Sequence, residues 1–148
     1  MKIYNRKFSK NYEKVESFEA GIVLTGDEVK SIRLGRINLD DAYVKIIGQE
    51  AYLINGEIAP YCYSSLSNHQ PKRTRKLLLH KKEIVRLKTK IQGERLTIVP
   101  VSCYNRGDLI KMEIALVKGR KDVEKRKAEK RKYLLKEEQR KIKEYLKR

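Results

Sequence analysis

The sequence predicts an antiparallel β-barrel with short helices, followed by a basic C-terminal tail. Two observations predict the barrel. Short apolar segments are joined by glycine-containing turns, as in β-hairpins, and no strand–helix–strand alternation indicates a parallel sheet. A third observation predicts the tail: residues 118–148 carry 15 Lys or Arg and 6 Asp or Glu, a net charge of +9, with few apolar side chains. Such a segment cannot offset the entropy of ordering it with a core of its own. We therefore expect one domain over residues 1–117 and a tail over residues 118–148.

A strand and a helix come first in the predicted body. Residues 18–24, FEAGIVL, form a short apolar strand candidate, and residues 25–35, TGDEVKSIRLG, are typical of a helix. Thr25 and Glu28 have the spacing of a capping box, in which a hydroxyl and a carboxylate satisfy backbone amides that have no partner in the helix. Gly35 suits the position just after the last helical residue.

Two hairpins and a second helix complete the predicted body. DAYVKII and EAYLING flank Gly48-Gln49, and glycine at the first position of a two-residue loop fits a type II′ turn. LTIVPVSCY and LIKMEIALV flank NRGD, and Pro100 in the first of these strands indicates an edge or a bulge. Between the hairpins, residues 80–93 have the apolar spacing of a helix. A barrel of roughly five or six strands fits this order, and the oligonucleotide-binding barrel is one such architecture.

The net charge of the whole chain, +17, indicates a polyanionic partner or a self-repelling, solvated surface. Nucleic acid and anionic membrane are the polyanions to consider. No apolar run approaches the length of a membrane span, and the first fifteen residues have no apolar segment typical of a signal peptide. We therefore expect a cytoplasmic protein that does not act at a membrane, in which Cys62 and Cys103 are reduced core residues.

Two groups of basic side chains are candidates for RNA binding. Residues 60–80 combine a turn-rich loop, aromatic rings that can stack on bases, and a basic cluster suited to phosphates. A solvated loop leading into a buried strand is the alternative explanation. The second group lies in and just after the first predicted helix, where a solvated helix face would explain it equally well. The two groups are Lys72, Arg73, Arg75 and Lys76, and Lys30, Arg33 and Arg36.

No motif for catalysis or metal binding accompanies these basic groups. The adjacent acids Asp27-Glu28 lie in a helix first turn, where they complement the helix dipole, and Asp40-Asp41 lies between elements, where Asp favours turns. His69 and His80 have no zinc-ligand spacing. We expect no metal, no cofactor and no enzymatic activity.

The order of these segments resembles the small protein B family, also called SsrA-binding protein. The matching stretches are FEAGIVLTGDEVKSIRLGRINLDDAY, RKLLLHKKEI and the closing hairpin with VKGRKDVEKR. The resemblance covers nearly the whole chain. It implies an oligonucleotide-binding-type barrel and a tail that is disordered alone and helical when bound.

The resemblance also implies a function. Members of this family bind the tRNA-like domain of transfer-messenger RNA and enter the empty A site of a stalled ribosome together with elongation factor Tu. The tail enters the vacant mRNA channel, and translation switches to the reading frame of the RNA, a process called trans-translation. The protein would catalyse no covalent step.

The family's RNA-binding and tail motifs map onto positions of this chain. The acid of the tail motif is usually Asp and is Glu124 here, and the aromatic or histidine that often precedes it is Val123. The RNA-binding positions are Asn5 and Arg6 with the neighbouring Lys7, then Glu19, and finally Leu78 with the Lys and Arg residues around it. The expected ribosome-binding positions of the tail are Glu124, Lys125, Arg126, Lys130, Arg131, Leu135 and Ile142.

Two other functions remain open at this point. A ribosomal or ribosome-assembly protein would share the basic body, the basic tail and an RNA partner. An RNA-modifying enzyme or nuclease would show a metal-dependent activity that the predicted adaptor would not.

Overall fold

We describe a computed structural model of the chain, covering residues 2–63 and 69–146, without the side chains of residues 120–128. The elements are β1 (Lys2–Tyr4), α1 (Phe8–Asn11), β2 (Tyr12–Ile22), α2 (Gly26–Arg33), β3 (Ile37–Asn38), β4 (Tyr43–Ile47), β5 (Glu50–Ile54), β6 (Glu57–Ile58), β7 (Arg75–Leu78), α3 (Lys81–Gly93), β8 (Thr97–Arg106), β9 (Leu109–Gly119) and α4 (Arg120–Leu146).

Six strands form a closed ring in the order β8-β4-β5-β7-β2-β9, and β9 pairs back with β8. Every described pairing is antiparallel. β1 adds to β8 from outside the ring, and β3 and β6 form a separate two-stranded sheet. The core consists of inward-facing residues of the ring together with Ile32 of α2, Leu87 of α3, and buried residues in and around the β3–β6 sheet: Ile37, Leu39, Ala42 and Ile58. The predicted antiparallel sheet of five or six strands is therefore confirmed at this level.

Locally determined features of the sequence form as predicted. The Thr25 hydroxyl accepts from the Glu28 amide at 3.3 Å, and the Glu28 carboxylate accepts from the Thr25 amide at 3.0 Å, which completes the capping box of α2. Gly35 has a φ of +77° just after this helix, and Gly48 has a φ of +64° in the β4–β5 turn. A register shift between Pro100 and Ser102 in the β8–β9 pair is the bulge that the proline indicates.

The strand around Glu19 is longer than predicted. β2 begins at Tyr12, whereas the apolar run FEAGIVL begins at Phe18. Its charged first half is held by pairing with β9, from Tyr12 with Gly119 to Gly21 with Lys111. The apolar run could not reveal this first half, because residues 12–17 are mostly charged or polar. They form a strand only through pairing with β9, which lies about 100 residues further along the chain.

The β8–β9 turn is tighter than the predicted four-residue loop. Arg106 pairs with Leu109, so the turn consists only of Gly107, with a φ of +63°, and Asp108. Positive φ costs glycine little, which lets both strands extend to this tight turn.

The tail is one continuous helix, α4, which follows β9 without a linker and has the helical form expected of the tail when bound. After Gly119 the segment contains neither glycine nor proline and is rich in Lys, Arg, Glu and Leu, which favour helices. Arg140 and Glu137 add an ion pair at 3.0 Å along the helix. The expected boundary after residue 117 falls inside β9, which continues for two more residues.

The two cysteines have different environments. Cys103 is fully buried in the ring, as predicted, and burial raises the pKa of its thiol to about 12. The prediction that Cys62 is also a core residue is wrong, because its side chain is exposed in the segment after β6. Both cysteines are free.

No helix within the described residues is long and apolar enough to cross a membrane.

Candidate nucleic-acid interface

One outward-facing surface of the ring brings together predicted RNA-binding residues from different elements. Leu78 of β7 pairs with Gly21 of β2, and side chains two residues apart on a strand point to the same side, so Glu19 and Lys76 also lie on this surface. A Cβ atom built on Gly21 would come within 3.2 Å of the Leu78 Cβ, so glycine lets the two backbones approach. Leu78 remains 53% exposed as an apolar residue among charged neighbours.

Glu19 is the centre of a cluster of side chains on this surface. The Tyr104 hydroxyl and the Arg106 guanidinium, both from β8, donate to its carboxylate, the latter at 2.7 Å. The hydrogen bond from Tyr104 is the main cause that lowers the pKa of Glu19. Burial, followed by the hydrogen bond to Glu19, raises the pKa of Tyr104 to about 12. The carboxylate is therefore held ionised and in a fixed orientation. We call Glu19, Tyr104 and Arg106, together with Lys2, the Glu19 cluster.

Lys2 joins the cluster through aromatic rings. Its ammonium lies 5.6 Å from the centre of the Tyr104 ring and 5.2 Å from that of Tyr4. β1 holds it there by pairing Lys2 with Tyr104 and Tyr4 with Ser102. Tyr4 is largely exposed, so Lys2 links an exposed aromatic ring to Tyr104, the residue that donates to Glu19.

Lys76 has an acidic partner on the same surface. Its ammonium lies 2.9 Å from the Glu50 carboxylate, which also accepts from the Tyr52 hydroxyl. The hydrogen bond to Glu50 raises the pKa of Lys76, which stays charged. The pair is exposed, so it contributes little to stability and leaves Lys76 able to exchange its partner for a phosphate.

The basic group of α2 contacts other predicted segments. The Lys30 ammonium lies 5.4 Å from the centre of the Tyr61 ring, in the segment that follows β6. Arg33 donates to the Asp108 carbonyl at 3.4 Å, at the tip of the β8–β9 hairpin. Arg36 is exposed just after the helix. Lys30, Arg33 and Arg36 are all exposed, as an RNA contact requires, although a solvated face has the same property.

The basic cluster of residues 72–76 is divided by the structure. Lys72 is exposed in a turn, and Arg73 is partly exposed and paired with Glu28. Arg75 is fully buried, with 0% of its side chain exposed. The prediction that Arg75 contacts RNA is therefore wrong, since its guanidinium is enclosed by protein groups. Alternation along β7 causes this, because Arg75 faces inward with Leu77 while Lys76 and Leu78 face outward.

The residues after β1 divide in a similar way. Asn5 is buried, its amide group donates to the Pro100 carbonyl at 2.9 Å, and its side-chain oxygen accepts from the Lys7 amide at 3.2 Å. Arg6 and Lys7 are exposed, and Lys7 forms an ion pair with Asp41 at 3.3 Å. Asn5 thus fixes the turn that presents Arg6 and Lys7, next to the bulge at Pro100.

The predicted tail residues lie along α4. Lys130, Arg131, Leu135 and Ile142 are exposed, with 59% of Leu135 accessible, so the helix carries unpartnered apolar side chains among its charges. The side chains of Glu124, Lys125 and Arg126 lie outside the described part, as does that of Val123; only the helical backbone is described there.

Sequence reasoning missed three residues of the Glu19 cluster: Lys2, Tyr104 and Arg106. Their link to Glu19 spans up to 87 residues of sequence. Only part of this cluster could be predicted from the sequence. Tyr104 and Arg106 are two residues apart on a predicted strand, so their side chains lie on the same side of that strand. The pairing of β2 with β9, which brings Glu19 to them, has no local signal.

Among the side chains that the structure describes, in residues 2–63, 69–119 and 129–146, no three from His, Cys, Asp or Glu come close enough to hold a metal ion. Among the acids that sequence reasoning considered, Glu28 completes the α2 cap and Asp41 forms an ion pair with Lys7.

Known proteins resemble this chain in sequence and in fold. The family model described as SmpB protein matches residues 2–144. The "SsrA-binding protein" of Malacoplasma penetrans is 49% identical, covering 84% of this chain and 85% of its own length. That of Nostoc sp. is 47% identical over 95% and 92% of the two chains. A solved chain from "tmRNA-SmpB: a journey to the center of the bacterial ribosome" is 41% identical, with a TM-score of 0.67 over 80% of this chain and 83% of that one. With a match over nearly its full length, this chain belongs to the SmpB protein family.

Proposed function

We propose that this chain is an RNA-binding adaptor that binds the tRNA-like domain of transfer-messenger RNA and delivers it to stalled ribosomes for trans-translation. The observation that carries the proposal is the family match over residues 2–144, with relatives named SsrA-binding protein at 47–52% identity. The net charge of +17 supports a polyanionic partner.

The outward-facing surface of the ring provides the chemistry for this interaction. Exposed Lys and Arg side chains contact phosphates. The apolar Leu78 side chain and the Tyr4 ring can pack against a nucleobase or a ribose. Glu19 accepts hydrogen bonds from base or ribose donors, since an ionised carboxylate only accepts. The proposed RNA-binding set consists of Arg6, Lys7, Glu19, Lys30, Arg33, Arg36, Lys72, Arg73, Lys76 and Leu78, with Asn5 fixing the first turn.

The ring would act as an oligonucleotide-binding-type barrel, with the RNA on its outer surface. Its six antiparallel strands and closed order support this part of the proposal. Residues 1–117 would carry RNA binding, and residues 118–148 the ribosome interaction.

The tail would enter the empty mRNA channel of the stalled ribosome. Channel walls of RNA phosphate favour a segment with net charge +9, and each basic side chain that binds there releases counterions. The exposed apolar side chains of α4 would find partners in the channel that the body does not offer. Elongation factor Tu would accompany the complex, and the site of action is the cytoplasm, where ribosomes work. The adaptor would catalyse no covalent step and would need no cofactor.

A gel shift with the tRNA-like domain, using ordinary tRNA and rRNA fragments as competitors, tests the proposal. We expect tight binding that ordinary tRNA displaces poorly. Preferential binding to rRNA fragments would favour a ribosomal or ribosome-assembly protein, and a metal-dependent nuclease or modification activity would favour an enzyme.

The same assay measures the electrostatic share of the affinity. The logarithm of the association constant should fall with the logarithm of salt concentration by about 0.9 per phosphate contact, by analogy with duplex DNA. A flat response to salt would contradict the role of the exposed bases.

A further inference from the structure

Glu28 and Arg75 form an ion pair inside the protein, with 2% and 0% of their side chains exposed. The Arg75 Nε atom donates to the Glu28 carboxylate at 2.6 Å. Burial alone would raise the pKa of Glu28, but hydrogen bonds from the Thr25 amide, Arg75 and Arg73 outweigh it and hold the pKa below its ordinary value. Both groups are therefore charged in the folded protein.

Arg75 also donates to backbone carbonyls of the preceding loop. Its Nη1 atom lies 2.7 Å from the Gly56 oxygen and 2.9 Å from the Arg73 oxygen. Its Nη2 atom lies 3.0 Å from the Pro71 oxygen and 3.5 Å from the Gln70 oxygen. One rigid guanidinium thus donates to the Gly56 carbonyl, just before β6, and to three carbonyls of the loop that enters β7.

The Gln70, Pro71 and Arg73 carbonyls belong to a tight turn that carries Lys72. The Arg73 amide donates to the Gln70 carbonyl at 3.2 Å, which closes a β-turn with Pro71 and Lys72 at its centre. The Pro71 carbonyl also accepts from the Ile58 amide at 3.0 Å. The inner side of the turn is therefore bound to Arg75 and β6, and Lys72 remains exposed on its outer side.

Glu28 connects this turn to the first turn of α2. One of its oxygens accepts from the Thr25 amide at 3.0 Å and from Arg73, and the other accepts from Arg75. Two residues further along, Lys30 lies over the Tyr61 ring, which precedes the turn in the chain. The same carboxylate therefore fixes the start of the helix that bears Lys30 and the loop that bears Lys72.

We propose that the buried Glu28–Arg75 pair is a positioning device for RNA binding, which holds Lys72 and the basic group of α2 in fixed relative positions. The proposal rests on the proposed function, since it assigns these bases to the tRNA-like domain. Arg75 does not touch the RNA. It acts through the backbone of the turn, and Glu28 acts through the cap of α2.

Stability alone is a weaker explanation of this arrangement. Replacing a buried ion pair by apolar residues of similar volume is often neutral or stabilising, because desolvation offsets the attraction between the charges. Arg75 and Glu28 instead connect backbone groups of separate segments: Arg75 donates to carbonyls before β6 and in the loop that enters β7, and Glu28 accepts from the Thr25 amide at the start of α2. Geometry, more than net stability, is what such a pair provides.

The test compares the effect of one exposed lysine in two backgrounds. Lys72→Ala is introduced into the wild-type chain and into Arg75→Lys, which keeps the charge beside Glu28 but lacks the planar fork that reaches the carbonyls. Binding of the full chain to the tRNA-like domain is measured over a range of salt concentrations. Lys76→Ala is the matched control. Lys76 is an exposed lysine of the same segment, but its partner is Glu50 and not the turn that Arg75 holds.

In the wild-type background, Lys72→Ala should lower the salt slope by about 0.9, the value for one phosphate contact. In the Arg75→Lys background it should change the slope little, because the turn no longer places Lys72 against the RNA. Lys76→Ala should have the same effect in both backgrounds. A role in stability alone would reduce the folded fraction and leave the effect of Lys72→Ala unchanged.

Equal effects of Lys72→Ala in both backgrounds, or no effect in the wild type, would overturn this inference while leaving the proposed function intact. Failure of the wild-type chain to prefer the tRNA-like domain over ordinary tRNA would overturn the proposed function, and the inference with it. If Arg75→Lys does not fold, the double variant Glu28→Gln/Arg75→Gln removes both charges together, and the same comparison is made there.

Discussion

Glu19 and Glu28 are two carboxylates of one basic protein that do different work. Glu19 lies on the surface, and its partners Tyr104 and Arg106 fix the orientation of its carboxylate. Glu28 lies inside, and its partners Arg75 and Thr25 tie a helix to a loop. Both have lowered pKa values because hydrogen-bond donors stabilise the charged form. Residue type therefore says little about role until the partners are known.

At the residue scale, Glu19→Ala should lower affinity for the tRNA-like domain by about tenfold at every salt concentration, the effect of losing one charge-assisted hydrogen bond. Tyr104→Phe should act in the same direction but more weakly, because it removes the donor that orients the carboxylate and keeps the ring under Lys2. Filter binding at two or more salt concentrations measures both. Unchanged affinity of Glu19→Ala would show that the exposed acid has no part in recognition.

Glu28 gives a second residue-scale prediction, about acid stability. Its pKa is lowered from 4.5 in the folded protein. Its contribution to folding stability is therefore complete above pH 4.5 and is lost as the pH falls through the lower pKa of the folded state. Glu28→Gln leaves Arg75 without its counter-charge and should cost about 3–5 kcal/mol at neutral pH.

The difference in free energy of unfolding between wild type and Glu28→Gln should then become smaller as the pH falls below 4.5, because protonation removes the same charge from the wild type. Urea denaturation at several pH values provides the measurement. A difference that stays constant with pH would mean that Glu28 is not ionised in the folded state.

At the scale of elements, local signals were reliable. The Thr25 and Glu28 spacing predicted the cap of α2, Gly48 predicted the β4–β5 turn, and Pro100 predicted the bulge in β8. Each depends on a few neighbouring residues. The same logic explains α4, whose composition favours a helix over its whole length even though almost all of its described side chains, from Glu129 to Leu146, are exposed.

Leu135→Pro tests whether the helical form of α4 matters. Proline removes an amide donor and clashes with the preceding turn, which costs about 3 kcal/mol in a helix interior, roughly a hundredfold in helical population. Circular dichroism of the free protein should show a loss of helix. Affinity for the free tRNA-like domain should not change, whereas peptide tagging on stalled ribosomes should collapse.

The control for this prediction is Leu135→Ala, which keeps helix propensity and loses only one apolar contact, so its tagging activity should be much closer to wild type. Equal tagging by the two variants would mean that the tail works as an unstructured charged chain.

At the scale of the whole molecule, the ring and the tail should have separable roles. A chain ending after Gly119 keeps every described β2–β9 pair, whereas an end at Val117 would remove the pairs of Glu13 and Tyr12. The Gly119 truncation should fold, retain near full-length affinity for the tRNA-like domain and fail in tagging. Loss of most of the RNA affinity would contradict the division between ring and tail.

Long-range pairing sets the limit of what sequence predicts here. The two hairpins, α2 and α3 were predictable because the signals for each lie within its own segment. The closure of the ring was not, since Glu19 meets Glu113 and Tyr104 only after β2 pairs with β9. Arg75 is a different case, because alternation along β7 places it with Leu77 on the inner side. Its basic character obscured a signal that was present.

The pairing of β2 with β9 also has a consequence for how the protein is made. Tyr12 pairs with Gly119, so the edge of β2 that pairs with β9 has its full set of partners only after four-fifths of the chain has been translated. Contacts between such distant residues carry a large loop-closure entropy and form slowly. A nascent copy whose own synthesis halts before the ninth strand would therefore leave an open sheet edge, and the RNA-binding surface would be incomplete. On our proposal, a cell rescuing its ribosomes depends on adaptor copies finished before the message broke.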